Sequence, residues 1–294
     1  MMGSKNYNSN NKQRQDPYSV TSAIMDNEPH IHALGLEKDP GKVPLIIGVV
    51  GHIDPSEECI EKISNDFLTY LQLLIKELPN TPIWMLNGLA AGADSIAAEI
   101  FIKSRRQSLK TESTNSINDK LIAVLPKIQA NYIDDFPRSD LETFNKLIKS
   151  CDHILDPSNQ WQLQLKNPNS NDSECYALQG SFLVRYSYIL YSFYDGIDNG
   201  KEGGTGQSVA LHQGRVHRCF SNEEEILASR EPGHTIIINT QRKGGIKNNS
   251  NEVTVNDNIY SFWEKKGSDI SPKFIFEYYE KLNTGIADKN QEPI

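Results

Sequence analysis

The sequence predicts a Rossmann-like, doubly wound α/β protein with a mainly parallel sheet and helices on both faces. Short apolar, β-branched runs alternate with helical patterns from residue 43 onward, which is the order typical of strands joined by helical crossovers. The strand runs are also apolar at successive positions, as expected for parallel strands that are covered on both faces.

The elements follow in order along the chain. The first strand is VPLIIGVVGH, and a helical pattern opens at Pro55 and Ser56, with apolar residues three and four apart: Ile60, Ile63, Phe67, Leu71, Leu74 and Leu78. SDLETFNKLIKSC predicts a helix that begins with a capping box of Ser139 and Glu142. Further strands are predicted at TPIWMLNG, KLIAVLP, DHILD, YILYSFYDG and HTIIINTQR, and a terminal helix at SPKFIFEYYEKLNT.

Composition limits the domain organisation and the class of protein. The chain has 294 residues, and we expect a flexible polar segment over 1–42, one folded domain over 43–285 and a tail over 286–294. No signal core or bilayer-length apolar run is present, and the four cysteines are scattered, so we expect a soluble, cytoplasmic protein with reduced thiols and no membrane segment. The net charge of -8 argues against a general nucleic-acid binder.

Glycine-bearing loops follow three of the predicted strands, in GVVGH, NGLAAGAD and DGIDNGKEGGTGQ. Glycine lets backbone approach a ligand closely, and the next helix turns its N–H groups toward that ligand. Three such loops at one sheet edge predict a phosphate-binding cleft; the alternative is that each glycine only ends a strand or caps a helix. The predicted ligand-binding residues are Gly51, His52, Gly88, Ala90, Gly92, Asp94, Arg185, Asp195, Gly203, Gly204, Thr205, Gly206 and Gln207.

Three side chains have alternative interpretations. Arg185 precedes a strand and either pairs with a phosphate or lies on the surface. Asp195 ends that strand and either accepts from ribose hydroxyls or forms a turn. Tyr132 either stacks on a base or packs in the core. No catalytic residue, metal ligand or cofactor is predicted, because no histidine stands at a triad or metal spacing from Asp or Cys.

The motifs GVVGH, NGLAAGAD, LIAVLP and EGGTGQSVA, in this order, resemble the SLOG superfamily. This Rossmann-like group includes DprA, the LOG phosphoribohydrolases, the amino-terminal region of TRPM channels and nucleotide-sensing domains of bacterial antiviral systems. NGLAAGAD is similar to the SGLAxGID pattern of the DprA branch. RYSYILYSFYDGIDNGKEGGTGQSV is similar to a block of the bacterial sensor branch. The resemblance covers roughly residues 43–240.

The resemblance implies a sensor that binds a nucleotide-derived second messenger, of the cyclic oligonucleotide or cyclic ADP-ribose type, and regulates an effector in bacterial antiphage defence. It also implies a homodimer or higher oligomer, with the effector in the same longer chain or in trans. Apolar residues outside the main helical stripes agree with such an interface, unless they pack within one subunit: Leu68, Tyr70, Leu73, Ile75, Phe274, Phe276, Tyr278 and Tyr279.

Two alternative functions follow from the same resemblance. A LOG-type nucleoside 5′-monophosphate phosphoribohydrolase carries a PGGxGTxxE loop. Here the glycines match Gly203, Gly204 and Gly206, but Val209 and Ala210 stand at its acidic positions. The chain therefore lacks the carboxylate of such an enzyme, and binding without turnover is expected. A DprA-like single-stranded nucleic-acid binder is the second alternative, and the acidic net charge counts against it.

Overall fold

Six strands form one sheet in the computed structural model. They are β1 (Leu45–Gly51), β2 (Ile83–Asn87), β3 (Lys120–Val124), β4 (His153–Leu155), β5 (Ile189–Tyr194) and β6 (His234–Asn239). The strand order is β4-β3-β2-β1-β5-β6, and every neighbouring pair is parallel. The predicted α/β fold with a Rossmann-like sheet is confirmed. The sheet, which the sequence predicted to be mainly parallel, is parallel throughout these strands.

The structure describes residues 42–106, 117–156, 172–198, 200–213, 234–245, 276–277 and 279–284. All of them belong to one compact unit, residues 41–294. The predicted flexible segment, apart from Lys42, and the predicted tail lie outside the described residues, so both stay predictions.

Helices follow the strands, as the sequence predicts for the first helix and for the one at SDLETFNKLIKSC. They are α1 (Glu57–Glu77), α2 (Ala93–Ser104), α3 (Gln129–Tyr132), α4 (Arg138–Lys149), α5 (Asp172–Tyr186) and α6 (Thr205–His212). The short α3 continues into a 3₁₀ turn at Ile133–Asp135. The described residues 276–277 and 279–284 are also helical, within the predicted terminal helix.

The predicted capping box of α4 is wrong. Pro137 occupies the N-cap position with a φ of -57°, and no side chain caps the helix. Ser139 lies inside the first turn instead, where its hydroxyl donates to the Asp140 carboxylate at 3.1 Å. Because the proline ring presets a φ compatible with helix entry, the helix begins before the serine.

Aromatic side chains join α1 to the sheet. Phe67 packs against Tyr191 and Phe193 of β5, with ring centroids 5.2 and 5.6 Å apart. Tyr70 lies 6.1 Å from Tyr191, and both Tyr70 and Phe276 belong to the buried core. These two residues were candidates for an oligomer interface, and the structure shows that they pack within one subunit.

A buried polar network holds the amino-terminal edge of the sheet. Asn283 donates to the Val43 carbonyl at 3.1 Å and to the Thr81 hydroxyl at 2.9 Å, and it accepts from the Val43 N–H at 2.7 Å. Arg106 donates to the buried Asp119 carboxylate and to the Thr81 carbonyl, at 2.9 and 2.8 Å. This network fixes the helical carboxyl-terminal residues to the fold, at the edge opposite the carboxyl ends of the strands.

Candidate functional site

The strand order reverses beside β1. Strands β2, β3 and β4 extend from one side of β1, whereas β5 and β6 extend from the other. In open α/β sheets, ligands bind at the carboxyl ends of the strands that flank such a switch point. The loops after β1, β2 and β5 leave three adjacent strands at this edge. They are the three glycine-bearing loops, so the structure brings the predicted loops together.

The loops after β1 and β2 are packed against each other. The Ala93 N–H donates to the His52 carbonyl at 3.0 Å. Gly92 has a φ of +78°, and a Cβ there would stand 2.5 Å from the Ile53 carbonyl oxygen. A Cβ on Gly51 would stand 2.5 Å from the Cβ of Ala93. Both glycines thus allow loop-to-loop packing in this structure, and their predicted contact with a ligand stays a prediction.

His52 and Asp195 meet at the carboxyl ends of β1 and β5. The Asp195 N–H donates to His52 Nε2 at 3.1 Å, and Asp195 Oδ1 accepts from the Ile197 N–H at 3.0 Å while lying 3.2 Å from the same Nε2. An accepting Nε2 assigns the proton to Nδ1 and makes the ring neutral. Burial of the side chain lowers the pKa of His52, although Asp195 opposes this shift. His52 Nδ1 is buried and has no hydrogen-bond partner among the described residues.

Asp94 lies in the first turn of α2 as a buried carboxyl. Burial raises its pKa to about 8, against the opposing hydrogen bond with the Ala90 backbone, so the group is protonated at neutral pH. Asp94 Oδ1 is buried without a hydrogen-bond partner in the described part of the chain. Asp94 Oδ2 and Gln179 Nε2 stand 3.0 and 2.6 Å from the place where a Cβ of Gly88 would lie. A larger residue at position 88 would therefore have to displace the Gln179 amide or the Asp94 carboxyl.

Tyr132 lies beside this cluster as a core residue. Its side chain is 1% exposed, and its hydroxyl donates to the Gly88 carbonyl at 3.2 Å. The ring packs edge-on against Phe136 and Phe144, with centroids 4.9 and 5.6 Å apart. Of the two interpretations from the sequence, packing is the one that the structure shows.

Two backbone N–H groups of the loop before α6 already have hydrogen-bond acceptors. The Gly203 N–H donates to the Gln207 side chain, and the Gly204 N–H donates to a carbonyl within the loop at 3.1 Å. The N–H groups of Thr205 and Gly206, in the first turn of α6, have no acceptor among the described residues. Of the residues predicted for this loop, Thr205 and Gly206 are therefore the ones whose N–H groups are available to a ligand, whereas those of Gly203 and Gly204 are used within the protein.

Arg185 does not join the other predicted residues. It lies in the last turn of α5, ahead of the amino end of β5. The six residues of β5 separate it from the carboxyl edge, a distance of about 20 Å for an extended strand. Because the sheet is parallel, a residue that precedes a strand lies at the edge away from the cleft.

The structure places another arginine at the cleft. Arg242 follows β6, and its Nε lies 3.7 Å from Asp195 Oδ2, while Nη1 lies 3.9 Å from Asp54 Oδ1. Sequence reasoning missed this residue, although its position just after a parallel strand was a usable signal. The carboxyl edge therefore carries a cation beside Asp195 and the neutral His52.

Two features are absent from the described residues. No group of three or more His, Cys, Asp or Glu side chains there could hold a metal ion. Within the same ranges, no helix combines the length and the apolar character that crossing a bilayer requires.

Comparison with known proteins supplies only a distant likeness. No family model and no curated protein matches the chain. Among solved structures, DprA from Streptococcus pneumoniae is 14% identical over 67% of this chain, with a TM-score of 0.36, and the match spans 59% of DprA, less than two thirds of its length. The protein TM1055 is 12% identical over 57% of this chain and 70% of its own, with a TM-score of 0.32.

These similarities are too low to assign a family. The fold class, a Rossmann-like α/β protein with a candidate cleft at the β1/β5 switch point, rests on the sheet itself. The resemblance to the SLOG superfamily rests on the sequence motifs.

Proposed function

We propose that this chain is a sensor domain that binds a nucleotide-derived second messenger, of the cyclic oligonucleotide or cyclic ADP-ribose type. The observation that carries the proposal is the meeting of three glycine-bearing loops at the β1/β5 switch point. The open N–H groups of Thr205 and Gly206 suit a phosphate. Three of the four motifs that resemble the SLOG superfamily, GVVGH, NGLAAGAD and EGGTGQSVA, lie on these same loops.

A thermal-shift screen of nucleotides and cyclic nucleotides tests this proposal. A ligand at about 100 times its dissociation constant stabilises the folded state by about 2.7 kcal/mol, which raises the melting temperature measurably. Absence of a shift with every nucleotide would contradict the proposal.

Thr205→Pro is the sharpest variant for the phosphate contact. Proline is favoured at the first helical position, and Gly204 before it has the extended backbone that a proline requires, so α6 is retained while one N–H donor is lost. Thr205→Ala keeps the N–H and is the matched control. We expect about tenfold weaker binding in the proline variant only, as for one lost hydrogen bond to a charged group. Equal affinity of the two variants would count against a phosphate at this helix end.

We propose binding without turnover. Val209, which is 3% exposed, and Ala210 stand where the LOG-like loop would carry its acids. The expected result is no release of free adenine from AMP, as followed by chromatography. Release at an ordinary enzymatic rate, on the order of one per second, would favour the phosphoribohydrolase instead.

A DprA-like nucleic-acid binder is the remaining alternative. The net charge of -8 disfavours it, since affinity for nucleic acid depends on neutralising phosphates with basic side chains. A gel shift with single-stranded DNA that weakens steeply with salt would support it, and the absence of a shift at low salt would exclude it.

We further propose that the sensor acts in the bacterial cytoplasm as a homodimer or higher oligomer in antiphage defence, and that it regulates an effector in the same longer chain or in trans. Leu68 and Leu73 of α1 are only partly buried and supply apolar surface for such pairing, whereas Ile75 packs against the core of the same subunit. A ligand can shift this assembly only if it binds one packing better than the other. Light scattering with and without ligand tests the point, and a monomer under every condition would exclude it.

A further inference from the structure

We propose that Arg242 receives a phosphate of the ligand at the β1/β5 switch point, and that the carboxylates around it select bridging phosphates. A bridging phosphate is joined to the ligand through two of its oxygens and carries one negative charge, whereas a terminal phosphate carries nearly two. The inference rests on the proposed function and names the ligand class for that site.

The guanidinium of Arg242 has unused hydrogen-bonding capacity. Its two ion-pair distances, 3.7 Å to Asp195 and 3.9 Å to Asp54, are longer than hydrogen bonds. In the described part of the chain, no acceptor lies within hydrogen-bond distance of it, and the side chain is 33% exposed. A planar guanidinium with free N–H groups suits bidentate contact with a phosphate.

Backbone hydrogen bonds hold Arg242 over the cleft. The Lys243 N–H donates to the Asp54 carbonyl at 2.8 Å, and the Ser56 N–H donates to the Gln241 carbonyl at 2.7 Å. Pro55 and Arg242 form an antiparallel bridge between the same two segments. The segment after β6 is therefore tied to the loop after β1, which keeps the arginine at the switch point before any ligand arrives.

Carboxylates surround both groups that could bind an anion. Asp54 and Asp195 flank Arg242, so two carboxylates face one guanidinium while His52 is neutral. At the first turn of α6, Asp198 Oδ1 stands 3.1 Å from the place where a Cβ of Gly206 would lie. A second negative charge on a ligand phosphate would be repelled by these carboxylates. A singly charged, bridging phosphate suits this surrounding better.

Two buried polar atoms near Arg242 have no hydrogen-bond partner among the described residues, which also points to a ligand. His52 is 2% exposed, yet its Nδ1 has no hydrogen-bond partner among the described residues. Asp54 Oδ1 is likewise shielded from solvent and accepts no hydrogen bond from the described chain. Since buried polar atoms are nearly always paired, these two atoms are candidates to bond a ligand that also contacts Arg242.

Calorimetric titration of the full chain with cyclic di-AMP, cyclic ADP-ribose, AMP and ATP tests the inference. We expect one of the two cyclic ligands to bind more tightly than AMP and ATP. Arg242→Gln should weaken its binding about 10- to 100-fold, as for a lost charged hydrogen-bond partner, and Arg242→Lys should restore part of the affinity. Arg185→Gln, at the opposite edge, is the control and should bind as the wild type does.

A variant that removes one carboxylate charge tests directly whether the site prefers bridging to terminal phosphates. Asp54→Asn should raise the affinity for ATP about 3- to 10-fold more than the affinity for the cyclic ligand, because it removes repulsion that acts most on the larger charge. Unchanged melting temperatures would show that the variants fold.

The results separate the inference from the proposed function. Wild-type affinity in Arg242→Gln, or tighter binding of AMP or ATP than of either cyclic ligand, would overturn the inference and leave nucleotide binding intact. Failure of the wild type to bind any of the four compounds would overturn both.

Discussion

The buried carboxyl of Asp94 predicts a specific dependence of stability on pH. In the folded chain its pKa is raised from 3.8 to about 8, because burial disfavours the charged form. Asp94→Asn replaces the carboxyl with a neutral group of the same shape. We therefore expect the variant to lose the part of the pH dependence that this carboxyl causes.

The sign and the size of this pH dependence follow from the number of protons that the folded and the unfolded chain bind. Between about pH 4 and pH 8 the folded chain keeps a proton that the unfolded chain has released, so the free energy of unfolding falls as pH rises. One proton corresponds to about 1.36 kcal/mol per pH unit, or about 4 kcal/mol between pH 4 and pH 7. This stability is fully present below the unfolded pKa and is lost as pH rises through the folded one.

Urea unfolding at about pH 5, 6 and 7 measures the effect. The difference between wild type and Asp94→Asn isolates this carboxyl, since His52 and the other titrating groups remain in both chains. We expect the variant to gain about 3 kcal/mol on the wild type between pH 5 and pH 7. Parallel pH profiles of the two chains would refute the reasoning, because they would mean that Asp94 is ionised in the folded protein.

Further predictions concern the backbone and the buried polar groups, and urea midpoints check all of them. Gly92→Ala should cost about 2 kcal/mol or more, since its positive φ is combined with a 2.5 Å approach to the loop after β1. Gly244→Ala, with a φ of +74° and open space, should cost only about 1 kcal/mol, and equal losses would contradict this account. Asn283→Ala should lose about 2–3 kcal/mol through its buried hydrogen bonds, and a change under about 0.5 kcal/mol would show that the network is dispensable. Arg106→Met should lose about 3–5 kcal/mol, because it leaves the buried Asp119 carboxylate without its cationic partner, and a loss under about 1 kcal/mol would contradict this account.

Local pattern was enough to predict the fold class and the three loops. Apolar β-branched runs and the spacing of Ile63, Phe67 and Leu71 are short-range signals, and each reflects which faces of one strand or helix are buried. The predicted capping box of α4 was also inferred from nearby residues, and it was wrong. The helix begins after Pro137, because the proline ring fixes a φ that is compatible with helix entry.

The site depended on contacts between distant residues. Arg185 and Arg242 both adjoin strands, but strand direction places the first away from the cleft and the second beside Asp195. The unused donors at the start of α6 depend instead on a local contact, because the Gln207 side chain occupies the N–H of Gly203, four residues before it.

The sequence by itself determined that strands and helices alternate and that glycine loops follow three strands, because these properties depend on residues close together in the chain. Tertiary structure alone decided that β1 lies between β2 and β5, that Asp94 is shielded from water, and that Arg242 faces Asp54 and Asp195. The physical reason is that strand order, desolvation and charge pairing are set by groups far apart in sequence, and these meet only when the sheet has formed.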